Sequence, residues 1–108
     1  MKPQHLLSSL GISSNRKGYW FTSRSLELAL EDENRLILLS RNLFPLVAAY
    51  YHTDVRCIER DIRTIIDNCW DSPSRKVLQE ISPYALTYKP TVGEFLDILY
   101  WHLKKQRS

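Results

Sequence analysis

Glycine and long apolar runs are both scarce in this chain. Only three of its 108 residues are glycine, and no apolar run approaches the roughly 20 residues that a membrane-spanning helix needs. The N-terminal stretch MKPQHLLSSLG contains a lysine, but its apolar run is too short for a secretory signal peptide. These absences predict a cytoplasmic protein with no membrane segment.

Cysteine is limited to Cys57 and Cys69, and both fall on one predicted helix. Their separation along that helix is about 18 Å, which is beyond disulfide reach. No cysteine and histidine pairs have zinc-ligand spacing, so we expect neither a metal site nor a cofactor. A nucleophile elbow, a glycine-rich phosphate loop and an HExxH motif are also absent, and we therefore expect no enzymatic activity.

What remains is a chain with 44% hydrophobic residues and no strand-type alternation. That composition predicts an all-α fold, a compact bundle of about six helices. Pro45 should break the third helical stretch near Phe44, because proline removes a backbone donor and restricts the residue before it. The expected helical stretches are Pro3–Leu10, Thr22–Asp32, Arg35–Tyr51 with an inward Tyr50, Thr53–Trp70, a stretch capped by Ser72 that runs from Pro73 to Ile81, and Thr91–Gln106.

The stretch from Thr53 to Trp70 organises the rest of the chain. Its apolar residues recur at helical spacing and form a stripe about 140° wide. Thr53 is expected to cap the first turn, where Asp54 also suits the positive end of the helix dipole. The predicted buried stripe consists of Val55, Ile58, Ile62, Ile65, Ile66, Cys69 and Trp70.

The opposite face of this helix fits a helix-turn-helix DNA reader. In that motif the second helix enters the major groove, and its N-terminal half contacts base edges. Arginine can grip guanine there, and a carboxylate can accept a hydrogen bond from cytosine. The predicted base-reading residues are Arg56, Cys57, Glu59 and Arg60, and the predicted phosphate contacts are Arg63, Lys17 and Lys76.

The same face also fits a helix that is merely solvated. The formal net charge of +3 permits nucleic-acid binding without requiring it. From Asp54 to Asp67 the helix carries three arginines and four acids, so ion pairs such as Glu59 with Arg63 could neutralise it. Residue pattern alone leaves the two interpretations open.

Three segments carry a resemblance to a known family. They are KGYWF (17–21), NLFPLVAAYYHTDVRCIERDIRTIIDNCW (42–70) and KPTVGEFL (89–96). They resemble the DNA-binding effector domain of the sporulation stage-zero response regulator, a family of transcription factors. The resemblance implies six helices with a helix-turn-helix, binding to short DNA boxes as tandem dimers, and contacts with the sigma subunit of RNA polymerase. It also implies base contacts by Glu59 and Arg60.

Two departures from the family pattern bear on function. Cys57 stands where the family typically has an arginine, and Arg56 lies one position earlier, about 100° away around the helix. The family's receiver domain is absent from the sequence, so residues 1–108 are interpreted as one effector domain. The alternative is a protein-interaction module that kept the effector fold but lost DNA binding, with Trp101 and the tail 104–107 on its partner surface.

Overall fold

A computed structural model describes residues 1–107, with the side chain of Arg107 excepted. The all-α fold is confirmed, and residues 1–107 contain no β-strand. A 3₁₀ turn at Glu33–Leu36 and a single helical turn at Leu39–Asn42 join the second helix to the third. The six longer helices are α1 (Pro3–Ser9), α2 (Lys17–Glu31), α3 (Phe44–Tyr50), α4 (Val55–Trp70), α5 (Arg75–Ile81) and α6 (Val92–Arg107).

Helix α4 lies at the centre of the packing. It runs along α2 and also contacts α3 and α6. Ile58 and Ile62 are completely buried, while Val55 and Trp70 pack against the core from its edge. The predicted apolar stripe is therefore confirmed, and burial of this stripe is what fixes the rotation of α4 about its own axis.

Three helix starts differ from the sequence-based expectation. Asp54, not Thr53, caps α4, because its carboxylate accepts a hydrogen bond from the backbone N–H of Cys57 at 2.9 Å. Helix α2 begins at Lys17 rather than Thr22, so the aromatic residues 19–21 belong to its first turns. Helix α5 begins at Arg75, since the Ser72 hydroxyl closes a turn with the N–H of Ser74 before the helix starts.

The expected break at Pro45 is confirmed, since α3 begins at Phe44 and holds the proline in its first turn. Tyr50 was expected to face inward, and this expectation is wrong: 57% of the residue is exposed. The guanidinium of Arg24 covers its ring at 4.3 Å from the centroid. A cation–π contact of this kind gives an exposed aromatic ring a partner outside the core.

Helix α6 follows its sequence signature closely. The Glu94 carboxylate accepts from the N–H of Thr91 at 3.0 Å, and the Thr91 hydroxyl accepts from the N–H of Glu94 at 3.1 Å. This is a complete capping box. Trp101 lies outward, 45% exposed, and its indole N–H donates to the Asp97 carboxylate at 3.0 Å. The five residues predicted to face inward are buried, and Ile98 and Tyr100 are buried as well; the five are Val92, Phe95, Leu96, Leu99 and Leu103.

Candidate nucleic-acid interface

The connection between α3 and α4 is a tight turn of residues 51–54. His52 adopts a left-handed backbone with φ of 54°, a conformation more often given to glycine. The backbone N–H of Thr53 donates to the carbonyl of Ala48 at 2.9 Å. The turn therefore ties the start of α4 to the end of α3, and the first turn of α4 is held in a fixed place.

Three arginines lie on the outward face of α4. Arg56, Arg60 and Arg63 are all exposed, and 66% of the Arg60 side chain is accessible to solvent. Cys57 and Glu59 are half-buried beside them. The residues predicted to read bases thus all lie in the first two turns of one helix, and the arginines among them are the most exposed.

The acids of α4 have other partners than the one the sequence suggested. Asp54 is engaged as the helix cap, and that hydrogen bond with Cys57 lowers the pKa of the Asp54 carboxyl. Asp67 pairs with Lys89 at 2.7 Å, and Asp61 lies 3.4 Å from the Nε of Arg60. The expected ion pair of Glu59 with Arg63 was wrong, since residues 1–107 show no such pair within 4 Å.

One flank of the outward face is formed by the start of α2. Gly18 packs directly on α4: a Cβ at this position would lie 2.3 Å from the backbone oxygen of Asp61 and 2.7 Å from Ile65. Exposed Arg16 and Lys17 border the same small cleft as Asp61. The structure therefore brings Lys17, one of the predicted phosphate contacts, beside the face that carries the arginines.

The other flank is formed by the start of α6 and the turn that precedes α3. Glu59 and Arg63 line a shallow groove shared with Ser40 and with Thr91–Gly93. Lys89, which precedes α6, pairs with Asp67, four positions beyond Arg63 on α4. Sequence reasoning missed Ser40, Thr91 and Lys89 as neighbours of α4. No local pattern points to them, because the packing of distant segments of the chain brings them beside α4.

Lys76 is not part of this arrangement. It lies in the first turn of α5, six positions beyond Trp70 at the C-terminal end of α4, whereas the predicted base-reading residues occupy the N-terminal half of α4. Its backbone N–H donates to the carbonyl of Pro73 at 3.2 Å. Lys76 thus lies on a different element from the other two predicted phosphate contacts.

Residues 1–107 hold no group of three or more His, Cys, Asp or Glu that could bind a metal ion, and none of their helices is long and apolar enough to cross a bilayer. Cys69 is buried, and burial raises the pKa of its thiol to about 11. It behaves as a small core residue rather than a reactive group.

Together, the fold and the site define a class: small all-helical domains that present one arginine-bearing helix between two polar flanks. Residues 4–103 match the family described as the C-terminal domain of the sporulation initiation factor Spo0A. The match covers most of the chain, and the protein belongs to this family. The family comprises DNA-binding domains that regulate transcription in sporulation, so the family suggested by the three sequence segments is confirmed.

Proposed function

We propose that this protein binds double-stranded DNA in a sequence-specific manner and regulates transcription, with α4 as the recognition helix in the major groove. The observation that carries the proposal is the outward face of α4. It presents three exposed arginines; of the nearby acids, Asp54 caps the helix and Asp67 pairs with Lys89, while Asp61 contacts one edge of Arg60. A helix of this width fits the major groove of B-form DNA.

Each of the four base-reading candidates has a distinct chemical part. Arg56 and Arg60 suit guanine, whose two acceptors match the guanidinium fork, and Glu59 suits the amino group of cytosine. Cys57 is small and half-buried, so it would allow close approach of the helix and offer an apolar contact to a base. Since the family typically has arginine at the Cys57 position, we propose that this chain prefers a different base there.

The phosphate contacts would come from both sides of α4. Lys17 on the α2 flank and Arg63 beside the α6 flank are exposed and lie on opposite edges of the face. That spacing suits the two strands that border one groove. Lys76 remains a candidate only if bound DNA extends toward the end of α4 where α5 begins.

The proposed function is tested by finding the preferred site and then breaking one contact. Selection from a random duplex library would give that site, and fluorescence anisotropy would compare it with a scrambled duplex at several salt concentrations. Replacing Arg60 by Ala should weaken binding to the selected site by about five- to 150-fold and leave the scrambled duplex much less affected. Equal losses on both duplexes would remove Arg60 from the base-reading set.

The two lysines provide a matched pair for the phosphate contacts. Lys17→Ala should weaken both duplexes alike and make the dependence of log K on log salt shallower by about one unit. Lys76→Ala removes the same charge from a residue on another element, and an unchanged slope would exclude it from the interface. A slope that changes for Lys76 and not for Lys17 would reverse the placement proposed for the DNA.

The same measurements address the proposed partners. A gain in affinity on a duplex carrying two tandem sites would support a homodimer on DNA. A proposed contact with the sigma subunit of RNA polymerase is tested separately, by measuring whether variants in residues 71–88 weaken binding to that subunit. Weak and equal binding to every duplex, with no sequence enriched from the library, would favour the protein-interaction module. The proposed cytoplasmic location follows from the DNA-binding role.

A further inference from the structure

The contact between Arg60 and Asp61 is unusual for neighbours on a helix. Consecutive residues are about 100° apart around the axis and do not face each other. Nevertheless, the Nε of Arg60 lies 3.4 Å from Oδ1 of Asp61. The Arg60 side chain therefore leans toward α2 rather than extending straight out from α4.

Asp61 is the fixed member of this pair. Only 20% of its side chain is exposed, compared with 66% for Arg60. Gly18 at the start of α2 packs on the backbone of Asp61, and the Asp61 oxygen Oδ2 is buried with no hydrogen-bond partner among the described residues. The first turn of α2 carries no side-chain cap. The positive end of the α2 dipole therefore favours a nearby carboxylate such as that of Asp61.

The contact engages only one edge of the guanidinium. Nε is the atom within reach of the Asp61 carboxylate. The Cys57 side chain, about one turn earlier on α4, also interacts with the guanidinium, and among residues 1–107 the fork formed by the two terminal nitrogens makes no hydrogen bond to a carboxylate or a carbonyl. That fork can grip O6 and N7 of guanine. A guanidinium held by its Nε edge is thus ordered before DNA arrives, while its base-reading edge stays available.

The carboxylate also weakens the attraction of Arg60 for phosphate. A neighbouring negative charge offsets the charge that would draw the arginine to any DNA backbone, whatever the sequence. The hydrogen bond and the attraction of the Asp61 charge raise the pKa of the Arg60 guanidinium, which agrees with a direct interaction between the two side chains.

We propose that Asp61 is a positioning residue that sets sequence discrimination by holding Arg60 through its Nε edge. This inference rests on the proposed function, specifically on base reading by Arg60. Asp61 itself touches no base in this account. It acts by limiting the orientations of Arg60 and by reducing sequence-independent binding to phosphate.

The test is to remove the Asp61 charge and compare the result with a matched control. Asp61→Asn should lower the ratio of affinities for the selected and scrambled duplexes by about two- to fivefold, in line with an exposed ion pair. Asp67→Asn makes the same change in charge on the same helix but releases Lys89 rather than Arg60. It should strengthen binding to both duplexes alike and leave the ratio unchanged.

A double-mutant cycle separates positioning from a general effect of charge. In an Arg60→Ala background, Asp61→Asn should cause no further change in the ratio, and Asp61→Glu in the natural background should restore part of the discrimination. Thermal unfolding would establish that each variant folds, and Asp61→Ser replaces Asp61→Asn if the amide does not pack beside Gly18.

Two results would overturn the proposal: a ratio for Asp61→Asn equal to that for Asp67→Asn, or an effect of Asp61→Asn that persists without Arg60. The failure of base reading itself has another signature. If Arg60→Ala alone leaves the ratio unchanged, the proposed role of Arg60 is wrong and the positioning role of Asp61 falls with it.

Discussion

The inward and outward faces of α4 are built in different ways. The inward face consists of branched aliphatic side chains that are almost fully buried, and its position follows from the spacing of those residues. The outward face consists of charged and polar side chains, and its acids have partners in three places: the helix cap, α4 itself and the loop before α6. The first face holds α4 in the domain, and the second has its charges arranged by the domain around it.

This difference shows what a count of charges can miss. Three arginines and four acids suggest a nearly neutral helix, yet the four acids have different surroundings. Asp54 caps the helix by accepting a hydrogen bond from the N–H of Cys57, and Asp67 forms an ion pair with Lys89. Among the ion pairs of residues 1–107, only the one formed by Asp61 involves an arginine of this face, through the Nε of Arg60.

The largest expected effect comes from the inward face. Ile62 is completely buried, so Ile62→Ala should reduce the free energy of unfolding by about 2–5 kcal/mol, through lost burial and the cavity that remains. Urea denaturation measures this loss. Thr64→Ala, on the exposed face two residues later, should change the stability by less than about 0.5 kcal/mol, and similar losses for both variants would contradict the division into two faces.

A second prediction concerns the boundary between α2 and α4. Gly18→Ala places a methyl group against the backbone of Asp61, and the domain must shift to accept it. Overpacking of this kind costs about 1–3 kcal/mol. Gly93→Ala is the matched control, because its new methyl group would meet its nearest neighbour, a side-chain atom of Leu39, at 3.7 Å. Thermal unfolding curves that coincide for the two variants would show that α2 does not pack on α4 as described.

A third prediction uses the two cysteines, one on each face. Cys57 is half-buried on the outward side, whereas Cys69 is buried and its thiol pKa is raised to about 11. A thiol reagent should therefore label Cys57 in the folded protein and label Cys69 only after unfolding. Mass spectrometry of the labelled protein gives the site, and faster labelling of Cys69 would place the wrong face of α4 in the core.

The smallest expected effect is the pH dependence of the cap. The hydrogen bond from Cys57 lowers the pKa of the Asp54 carboxyl, so the cap stabilises the fold above the unfolded-state pKa of about 4. That contribution is lost as the pH falls through the lower, folded-state pKa. Asp54→Asn should reduce this acid dependence, as measured by denaturant midpoints between neutral and acidic pH, and an unchanged dependence would show that other carboxyls dominate.

Much of the fold could be predicted because its signals are local. The apolar stripe of α4, the proline at the start of α3 and the capping box of α6 each depend on residues a few positions apart. The start of α2 was missed because the tight packing of Gly18 on Asp61 is a tertiary contact, and it allows the helix to begin before the aromatic residues.

The candidate site could be predicted only along one helix. Arg56, Arg60 and Arg63 follow from helical geometry, but the neighbours contributed by α2 and α6 depend on packing between distant segments. Thr53 and Asp54 both suit the cap position, and only the backbone geometry shows that Asp54 is the cap. Tyr50 was placed inward by its spacing, although Arg24 from α2 holds it at the surface.

The most direct test of the central claim is to map the DNA contact on the folded protein. Amide chemical shifts would be followed by NMR while the selected duplex is added. If the outward face of α4 reads DNA, the largest changes fall on residues 54–64 and on Lys17, with little change around Trp101. Changes concentrated around Trp101, with α4 unaffected, would contradict DNA reading by the outward face of α4.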